Sequence, residues 1–483
     1  MATQIVCSRG FRAGLIVFCA LSLAAGCIPG LGALPGGEDA TSWVLRWNKI
    51  AIDASGLDHT PLKAGEVRTF GHQYGPTRSS RAMAIVHIAM FDAIVAINGG
   101  YQSYTGLAPA PANTSMKAAV SQAAHDTLVA LYPSHSQTFD EKLAEDLQHI
   151  DDPAALANGV LLGQQAAAAI LALRAADGSD DNTPYVFSDQ PGAWRSDPIN
   201  PGQEALGANW HKVTPFAMSR SDQFRCPPPP PISSVEYAIA YAEAKALGGD
   251  GINTPTIRTA DQTEAGIFWA YDGTPSLCAP PRLYNQIATQ IGKERGLDVV
   301  QLGRLLALVN IGLADAAIAV WESKYYYNLW RPVAGIRESD VGTGPLGLGD
   351  NNPLTEGDPD FTPLGAPASN LVGPNFTPPF PAYPSGHAGF GGALFQTLRN
   401  FFGTDQIAFT FVSDEFNGET RDNEGNVRPL LPRSFASLSQ AEEENGQSRI
   451  YLGIHWSFDK SEGIVQGNRV ANYVCSKVYQ PTP

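Results

Sequence analysis

Residues 299–330 read VVQLGRLLALVNIGLADAAIAVWESKYYYNLW, a stretch rich in Leu, Ala, Val and Ile that contains no proline. Its most apolar part, residues 305–321, also contains Asn310 and Asp315. A helix that spans a bilayer needs about 20 apolar residues, so this part is both short and polar for a membrane span. The stretch therefore predicts a buried helix in the core of a folded protein.

The rest of the chain alternates helical runs with connectors that are rich in Pro and Gly. The runs are rich in Ala and Leu, or apolar around much of their circumference. They lie at residues 81–98, 117–131, 139–147, 154–176, 233–247, 259–269, 281–295, 387–402 and 458–479. Alternating strand patterns are nearly absent. We therefore predict an all-α fold of two helical bundles of the four-helix-bundle type, with the active site in the C-terminal bundle.

Three connectors punctuate this pattern. Residues 177–215 are rich in turn-forming residues and predict a long surface loop, and residues 340–384 form a second loop rich in Gly and Pro. Residues 227–231 are five consecutive prolines, which predict a stiff polyproline II spacer. We predict an N-terminal helical half at 34–226, a linker at 227–231 and a C-terminal helical domain at 232–483.

The composition excludes several classes of protein. The 483 residues include 47 acidic and 32 basic side chains, which gives a net charge of −15, and 16% of residues are charged against 43% hydrophobic. A chain this long with so few charges can bury a large core, so it is not disordered. General nucleic-acid binders carry a basic excess, so that class is excluded too. As a property of the whole surface, the charge also disfavours a small anionic ligand.

The N-terminus has the pattern of an export signal over residues 1–33. Arg9 and Arg12 precede an apolar run at residues 13–25, and small residues follow. The run ends in Ala24-Ala25-Gly26-Cys27, which resembles a lipoprotein cleavage box, so lipidation at Cys27 and ordinary cleavage near Ala33 both stay open. A buried N-terminal helix is the alternative. We expect an exported protein, periplasmic, extracellular or lipid-anchored to the cell envelope, without a membrane span.

The cysteines outside this segment are Cys226, Cys278 and Cys475, which are isolated and lack CxxC spacing. They predict neither a disulfide scaffold nor a thiolate metal site. Free buried thiols are the simpler expectation, although one bridge among the three stays open.

The first motif with chemical content is Lys324-Tyr-Tyr-Tyr-Asn-Leu-Trp-Arg331-Pro332. Residues seven apart share one face of a helix, and Pro332 predicts that this helix ends with Arg331 in its last turn. Two cations on one face, among aromatic rings, would clamp an anion with little competing water. Alternatively, they are solvated cations whose stems cover the aromatic residues.

The second motif is Pro384-Ser385-Gly386-His387, and a helix is predicted to begin at its end. A helix N-terminus presents unpaired backbone N–H groups and the positive end of the helix dipole. The Ser385 hydroxyl and the Gly386 N–H would then donate to an oxyanion. The alternative is an ordinary serine N-cap.

The third motif is Ser448-Arg449-x5-His455-x3-Asp459. Asp459 would accept a hydrogen bond from one ring nitrogen of His455 and fix its tautomer, which leaves the other nitrogen as a ligand or nucleophile. Arg449 is six residues before His455, so the two do not share a helical face and we expect a bend at Gly453. The alternative is a core histidine satisfied by an acid one turn further on.

Together, and in this order, the three motifs resemble the pattern of the vanadium-dependent haloperoxidase and type 2 phosphatidic acid phosphatase superfamily. The match holds at every motif position. Four further segments look like the fungal chloroperoxidase branch, at residues 258–264, 268–273, 280–285 and 382–387. The resemblance covers most of the chain from about Arg258 onward, whereas the first half matches only in being helical.

This resemblance implies a vanadate cofactor held by cationic and neutral hydrogen-bond donors. Lys324, Arg331 and Arg449 would neutralise the oxygens of the ion. Ser385 and the backbone N–H of Gly386 would donate hydrogen bonds to it.

The resemblance also implies a division of labour between two histidines. His455 would be the single protein ligand to the metal, oriented by Asp459. His387 would be the acid–base residue in the reaction with hydrogen peroxide, and Asp272 would pair with Arg449 and hold its guanidinium in place.

For the halide site, the resemblance implies Trp321 and Phe380. Phe380 matches the chloroperoxidase-like pattern, since bromoperoxidases tend to carry His there. The implied reaction is oxidation of chloride or bromide by hydrogen peroxide to hypohalous acid, with small organic acceptors as further partners.

Two other functions fit the same motifs. Phosphate has the shape of vanadate, so an exported acid phosphatase would use His455 as nucleophile and His387 as the acid for the leaving group. A helical binding protein with a degenerate site is the non-catalytic alternative, and the intact motifs argue against it.

Overall fold

A computed structural model describes residues 40–482, and this part of the chain contains thirteen α-helices and one two-stranded antiparallel sheet. The predicted export signal lies outside the described residues. The first five helices, in the N-terminal half, are α1 (Thr41–Asp58), α2 (Gly75–Asn98), α3 (Met116–Leu131), α4 (Ser136–Leu147) and α5 (Pro153–Arg174). The next five are α6 (Val235–Gly248), α7 (Ala260–Phe268), α8 (Pro280–Glu294), α9 (Val299–Tyr327) and α10 (Pro332–Arg337). The last elements are α11 (Gly386–Phe402), β1 (Phe409–Asn417), β2 (Leu430–Phe435), α12 (Leu438–Tyr451) and α13 (Ser457–Lys477).

The long helix α9 lies at the centre of the core, as its sequence predicts. Asp298 starts it with a capping box, in which its side chain accepts from Gln301 N–H and the Gln301 side chain accepts from Asp298 N–H. Helix α9 packs against α2, α8, α11 and α13. The main hydrophobic core contains residues of helices in both halves, including α1 and α13. Both predicted halves therefore contribute to one core, and the boundaries at 34–226 and 232–483 stay a prediction. The all-α class is confirmed.

Three helices are long and apolar enough, by length and composition, to cross a membrane: α2, α5 and α9. In α2 and α9, 89% and 100% of the most apolar window is buried inside the described fold, against 33% in α5. The apolar surface of α2 and α9 is thus covered by other parts of the same chain.

The end of α9 differs from the prediction. The helix stops at Tyr327 because Asn328 takes a left-handed conformation, with φ of 52°. Asparagine tolerates this conformation better than other non-glycine residues, and it closes many helices. Arg331 is therefore not in the last turn of α9; it is extended and precedes α10, whose first residue is Pro332.

The sheet is not predicted by the sequence patterns, and neither are the helices α1, α10 and α12. Along β1, buried and exposed residues alternate from Phe409 to Ser413, and Phe409 pairs with Phe435 of β2. This alternation is typical of a half-buried strand, but the segment is short and lies in a polar, acidic stretch.

The three cysteines of the described chain, Cys226, Cys278 and Cys475, are free.

A buried ion network fixes both ends of the 177–215 connector. Asp177 accepts from Arg81 of α2 at 2.7 Å and from Arg174 of α5 at 2.8 Å. Arg174 also donates to the carbonyls of Thr214 and Pro215 at the other end of the connector. Burial favours a higher pKa for Asp177, but the hydrogen bonds and charges of the two arginines outweigh it and lower the pKa.

We expect Asp177→Asn to lower the free energy of unfolding at pH 7 by about 3 kcal/mol, because the buried Arg174 and the partly buried Arg81 lose their counter-charge. A carboxylate whose pKa is lowered by folding stabilises the protein above its unfolded pKa, and this stabilisation is lost as the pH falls through the folded pKa. The difference between wild type and variant should therefore shrink below about pH 4. Urea unfolding from pH 7 to pH 3 measures it, with the exposed Asp151→Asn as control. A pH-independent difference would contradict this assignment.

Candidate functional site

A cavity of about 780 Å³ opens between the two halves of the chain. Seven residues that the sequence singled out line it: Asp272, Trp321, Phe380, Gly386, His387, Arg449 and His455. The other four are buried and contact the lining residues or the segments that carry them: Lys324, Arg331, Ser385 and Asp459. The structure thus brings together all the site residues that the sequence predicted.

His455 is held by the start of α13. Its Nδ1 lies 2.8 Å from Oδ2 of Asp459, which also accepts from the backbone N–H of Trp456 at 3.0 Å. This pairing assigns the ring proton to Nδ1 and leaves a lone pair on Nε2. Burial lowers the pKa of His455 well below its usual range, and the neighbouring charges of Arg331, Lys324 and Arg449 lower it further. The ring is therefore neutral, and the lone pair on Nε2 is the one that can bind an electrophile.

Arg331 reaches the same ring from the segment between α9 and α10. Its Nη1 donates to Nε2 of His455 and to the carbonyl of Ile454, both at 2.9 Å, and its Nε donates to the carbonyl of Phe380 at 2.8 Å. Its Nη2 is buried and has no hydrogen-bond partner in the described chain. The break at Asn328, and not the continuous helix that the sequence predicts, therefore places this guanidinium at the site.

Arg449 and Asp272 form the second cationic group. Nη2 of Arg449 donates to both carboxylate oxygens of Asp272 at 2.8 Å. Its Nε and Nη1 are buried and find no partner among the described residues. Burial raises the pKa of Asp272, while Arg449 opposes this shift. Three guanidinium nitrogens, Nη2 of Arg331 and Nε and Nη1 of Arg449, are thus left without a hydrogen-bond partner in the interior of the described chain.

Lys324 is fully buried, and its ammonium group donates to the carbonyls of Pro381 and Ala382 at 2.8 and 3.0 Å. It also lies 5.1 Å from the ring centre of Phe380. Burial and the charge of Arg331 lower the pKa of Lys324 well below its usual range. A nearby anion would reverse part of this shift, because it favours the charged form.

The N-terminus of α11 faces the cavity. Ser385 is the N-cap residue, and its hydroxyl oxygen accepts from the N–H of Ala388 at 3.4 Å. This cap does not use the hydroxyl proton, which can still be donated. Gly386 is the first residue of the helix and lines the cavity. Both predicted properties of this motif, the serine cap and the donors at the helix end, therefore coexist.

His387 follows in the first turn of α11. Its Nε2 lies 2.6 Å from the carbonyl of Ala270, which assigns a proton to Nε2 and leaves Nδ1 as the basic nitrogen. Burial lowers the pKa of His387 well below its usual range, and the charges of Arg449, Arg331 and Lys324 add to the shift. The ring is therefore neutral, and an anion in the cavity would make it more basic.

Trp321 and Phe380 form an aromatic wall, with ring centres 4.8 Å apart. Trp321 donates through its Nε1 to the carbonyl of Leu206 at 3.1 Å. Leu206 belongs to the 177–215 connector, for which the sequence predicts a surface loop. In the structure the connector lines much of the cavity, and Trp194 and Trp210 within it are buried. Two tryptophans in a Gly/Pro-rich stretch were the available signal for this role.

The predicted bend lies at Gly453, between the end of α12 and the start of α13. Gly453 has φ of 71°, and a Cβ built on it would lie 2.5 Å from the carbonyl oxygen of Gly248. Only glycine fits both the left-handed backbone and this close approach. The bend lets Arg449 and His455 face the same cavity from different elements.

We expect Gly453→Ala to lower the free energy of unfolding by about 1–3 kcal/mol, because it combines a strained backbone with a clash. Gly425→Ala is the matched control: Gly425 also has a positive φ of 91°, but a Cβ there meets nothing within 4 Å. Chemical unfolding of both variants measures the difference. Equal losses would show that the contact with Gly248 is unimportant.

These contacts fit an oxyanion better than a bare metal cation. Two arginines and a lysine surround the site, and three buried guanidinium nitrogens lack partners in the described chain. Among residues 40–482, no group of three or more His, Cys, Asp or Glu side chains could hold a metal ion. A tetrahedral oxyanion accepts hydrogen bonds from several directions, so it would satisfy the donors that the protein leaves unpaired.

Comparison with known proteins agrees with this chemistry. Residues 304–482 match the model of the second helical-bundle domain of vanadium chloroperoxidase. Vanadium chloroperoxidase from Curvularia inaequalis is 32% identical over an alignment of 504 positions, which covers 87% of this chain and 80% of that protein. The chain belongs to the vanadium-dependent haloperoxidase family.

Two solved structures show that the family fold extends over the described chain. A bacterial vanadium-dependent iodoperoxidase superposes with a TM-score of 0.70 at 22% identity, covering 93% of this chain and 99% of that one. A holo-type bacterial vanadium-dependent chloroperoxidase gives 0.61 at 16% identity, covering 83% and 92%. The haloperoxidase fold therefore includes the N-terminal half, for which the sequence motifs gave no evidence.

Proposed function

We propose that this member of the haloperoxidase family binds vanadate at the site around His455 and oxidises chloride or bromide with hydrogen peroxide to hypohalous acid. The observation that carries the proposal is the set of unsatisfied N–H groups of Arg331 and Arg449 beside a neutral His455 whose Nε2 holds a lone pair. Buried polar groups are rarely left without partners, and a functional ligand is a common reason.

Five donors would hold the ion. Nη2 of Arg331, with Nε and Nη1 of Arg449, would meet its oxygens, and the Lys324 ammonium group would add positive charge from behind. Ser385 Oγ–H and the Gly386 N–H would donate from the start of α11. His455 Nε2 would be the protein ligand, and binding there would replace its present hydrogen bond from Arg331.

When bound, vanadate supplies the Lewis-acidic centre at which hydrogen peroxide is activated for attack by a halide. The protein contributes orientation and proton transfer. Asp459 keeps the proton of His455 on Nδ1, so that Nε2 keeps its lone pair for the ligand bond. His387, with its Nε2 proton donated to Ala270, would take and return a proton at Nδ1.

The halide site would be the wall formed by Trp321 and Phe380. The cations of Lys324 and Arg331 lie 5.1 and 5.0 Å from the centre of the Phe380 ring. These charges favour an anion next to an otherwise apolar wall, and the apolar rings favour a weakly hydrated ion. Phe380, rather than a histidine, supports chloride as well as bromide as the substrate.

The test is a halogenation assay on protein prepared with and without orthovanadate. Hydrogen peroxide and bromide, or chloride, are supplied, and halogenation of a phenol-type dye is followed. We expect turnover that depends on orthovanadate, on peroxide and on the halide. The phosphatase alternative would be supported by hydrolysis of p-nitrophenyl phosphate without vanadate-dependent turnover, and that result would overturn the proposal.

We also propose that the protein is exported. The basic residues Arg9 and Arg12 and the apolar run that follows them support this. Fractionation of a producing bacterial host with antibodies against residues 40–482 tests it. Processed protein outside the cytoplasm is the expected result, and unprocessed protein confined to the cytoplasm would contradict it.

A further inference from the structure

The segment formed by residues 270–272 contacts both His387 and Arg449, which are the two arms of the site. The carbonyl of Ala270 lies 2.6 Å from Nε2 of His387, and the carboxylate of Asp272 accepts two hydrogen bonds from Arg449. Tyr271 lies between them, with φ of 46°. A tyrosine in the left-handed region is strained and persists only where the surrounding contacts impose it. The position of both arms therefore depends on what holds Tyr271.

Strand β1 supplies these contacts through three consecutive residues. Ser413 Oγ donates to the carbonyl of Phe268 at 2.6 Å, at the end of α7 and two residues before the segment. The N–H of Asp414 donates to the Tyr271 hydroxyl at 2.6 Å. The N–H of Tyr271 donates to Oε1 of Glu415 at 3.2 Å. The strand thus contacts the chain just before the segment and the strained residue itself, at both its hydroxyl and its N–H group.

Glu415 is fully buried and has its own supporting partners. Its Oε2 accepts from Nη1 of Arg428 and from the Ser369 hydroxyl, both at 2.5 Å. Arg428 also donates to the Ser369 hydroxyl at 2.8 Å. Burial raises the pKa of Glu415 to about 7, and Arg428 opposes that shift. Glu415 does not line the cavity, so nothing in the proposed catalytic steps accounts for an acid buried at this position.

We propose that Glu415 is a positioning residue of the vanadate site: through Tyr271 it sets the place of Asp272, which aims Arg449, and of the Ala270 carbonyl, which orients His387. This inference rests on the proposed function, because it concerns the same anion. The hairpin formed by β1 and β2 is then a brace for the active site. The ion pair between Arg449 and Asp272 does not by itself require support from the hairpin. The strained backbone of Tyr271, which lies between Ala270 and Asp272, requires it.

The experiment compares Glu415→Ala, Glu415→Gln and Thr410→Ala with wild type. Glutamine keeps an acceptor for the Tyr271 N–H, whereas alanine removes it. Thr410 lies on the same strand, and its hydroxyl contacts the Ser434 hydroxyl across the hairpin at 2.7 Å. Its variant therefore controls for general weakening of the sheet. Orthovanadate affinity is measured by isothermal titration calorimetry, kcat at saturating orthovanadate by the halogenation assay, and folding by thermal unfolding.

We expect Glu415→Ala to weaken orthovanadate binding by about 10-fold or more, as is typical when an outer supporting contact is lost, and to lower kcat as well. Glu415→Gln should recover a large part of the affinity, and Thr410→Ala should bind like wild type. The double variant Glu415→Ala/Asp272→Asn should lose less binding free energy for orthovanadate than the two single variants lose in total, since both changes act on Arg449. This lack of additivity is not expected of a residue that only stabilises the fold.

A folded Glu415→Ala protein with wild-type affinity would overturn the inference while leaving the proposed function intact. Wild-type protein that binds no orthovanadate would overturn both. If neither Glu415 variant folds, Ser413→Ala decides, because it removes only neutral hydrogen bonds: the one that Ser413 donates to the Phe268 carbonyl just before the segment, and the one that it accepts from the N–H of Glu415. Weaker binding than in Thr410→Ala supports the brace, and equal binding overturns it.

Discussion

We expect His455→Ala to lose orthovanadate binding by more than about 100-fold, a larger loss than removal of an outer supporting contact gives. The reason is that His455 supplies the imidazole lone pair that faces Arg331, and Asp459 fixes its tautomer from the other side of the ring. Vanadate-dependent turnover should disappear with binding. Equilibrium dialysis against orthovanadate measures the first effect, and the halogenation assay measures the second.

The control for this prediction is His149→Ala, which removes an exposed histidine on the surface of the N-terminal half. It should bind and react like wild type. Thermal unfolding shows whether each variant is folded. A folded His455→Ala protein that binds orthovanadate as wild type does would contradict the role of His455 as ligand.

His387→Ala should have the opposite profile. We expect kcat to fall by about 100-fold to 10,000-fold, the range for removal of a general acid–base group, while orthovanadate affinity changes by less than 10-fold. The imidazole donates to Ala270 and leaves Nδ1 for proton exchange, but it is not the ligand. Steady-state kinetics at saturating orthovanadate, together with the affinity, separates the two effects.

The pair of variants therefore distinguishes the two histidines. If His387→Ala abolished binding while His455→Ala bound orthovanadate and lost only turnover, their roles would be the reverse of those proposed. If both kept full activity, neither ring would belong to the reaction.

The helical core could be predicted because it depends on local patterns. Helix α9 follows from an unbroken apolar run with a capping residue at Asp298, and α2 follows from the apolar run at residues 81–98. The bend at Gly453 was also foreseeable, since six residues cannot place Arg449 and His455 on one helical face. These features are encoded within one or two turns of the chain.

Features that depend on distant contacts could not be predicted in the same way. Asn328 is compatible with a helix interior, and its left-handed conformation ends α9 before Arg331 is reached. Arg331 then gains its position from the carbonyls of Phe380 and Ile454, which are remote in sequence. Backbone carbonyls carry no signal in the amino-acid sequence, so the predicted helical clamp was wrong although its two cations both reach the site.

The 177–215 connector shows the same limit from another direction. Its composition predicts a surface loop, yet Asp177 ties one end to Arg81 and Arg174, and Leu206 accepts from Trp321 at the cavity. The net charge of −15 gave equally little guidance about the site. Three cations with low exposure to water interact with one anion more strongly than the charges of the whole surface do.

A crystal structure of the protein soaked with orthovanadate tests the central claim most directly. We predict density for one oxyanion bonded to Nε2 of His455, with its oxygens contacting the N–H groups of Arg331 and Arg449 that have no partner in the described chain. Anomalous scattering at the vanadium edge identifies the metal. Density for the oxyanion at any other place would contradict the account. An empty cavity in crystals soaked at a saturating orthovanadate concentration would contradict it as well.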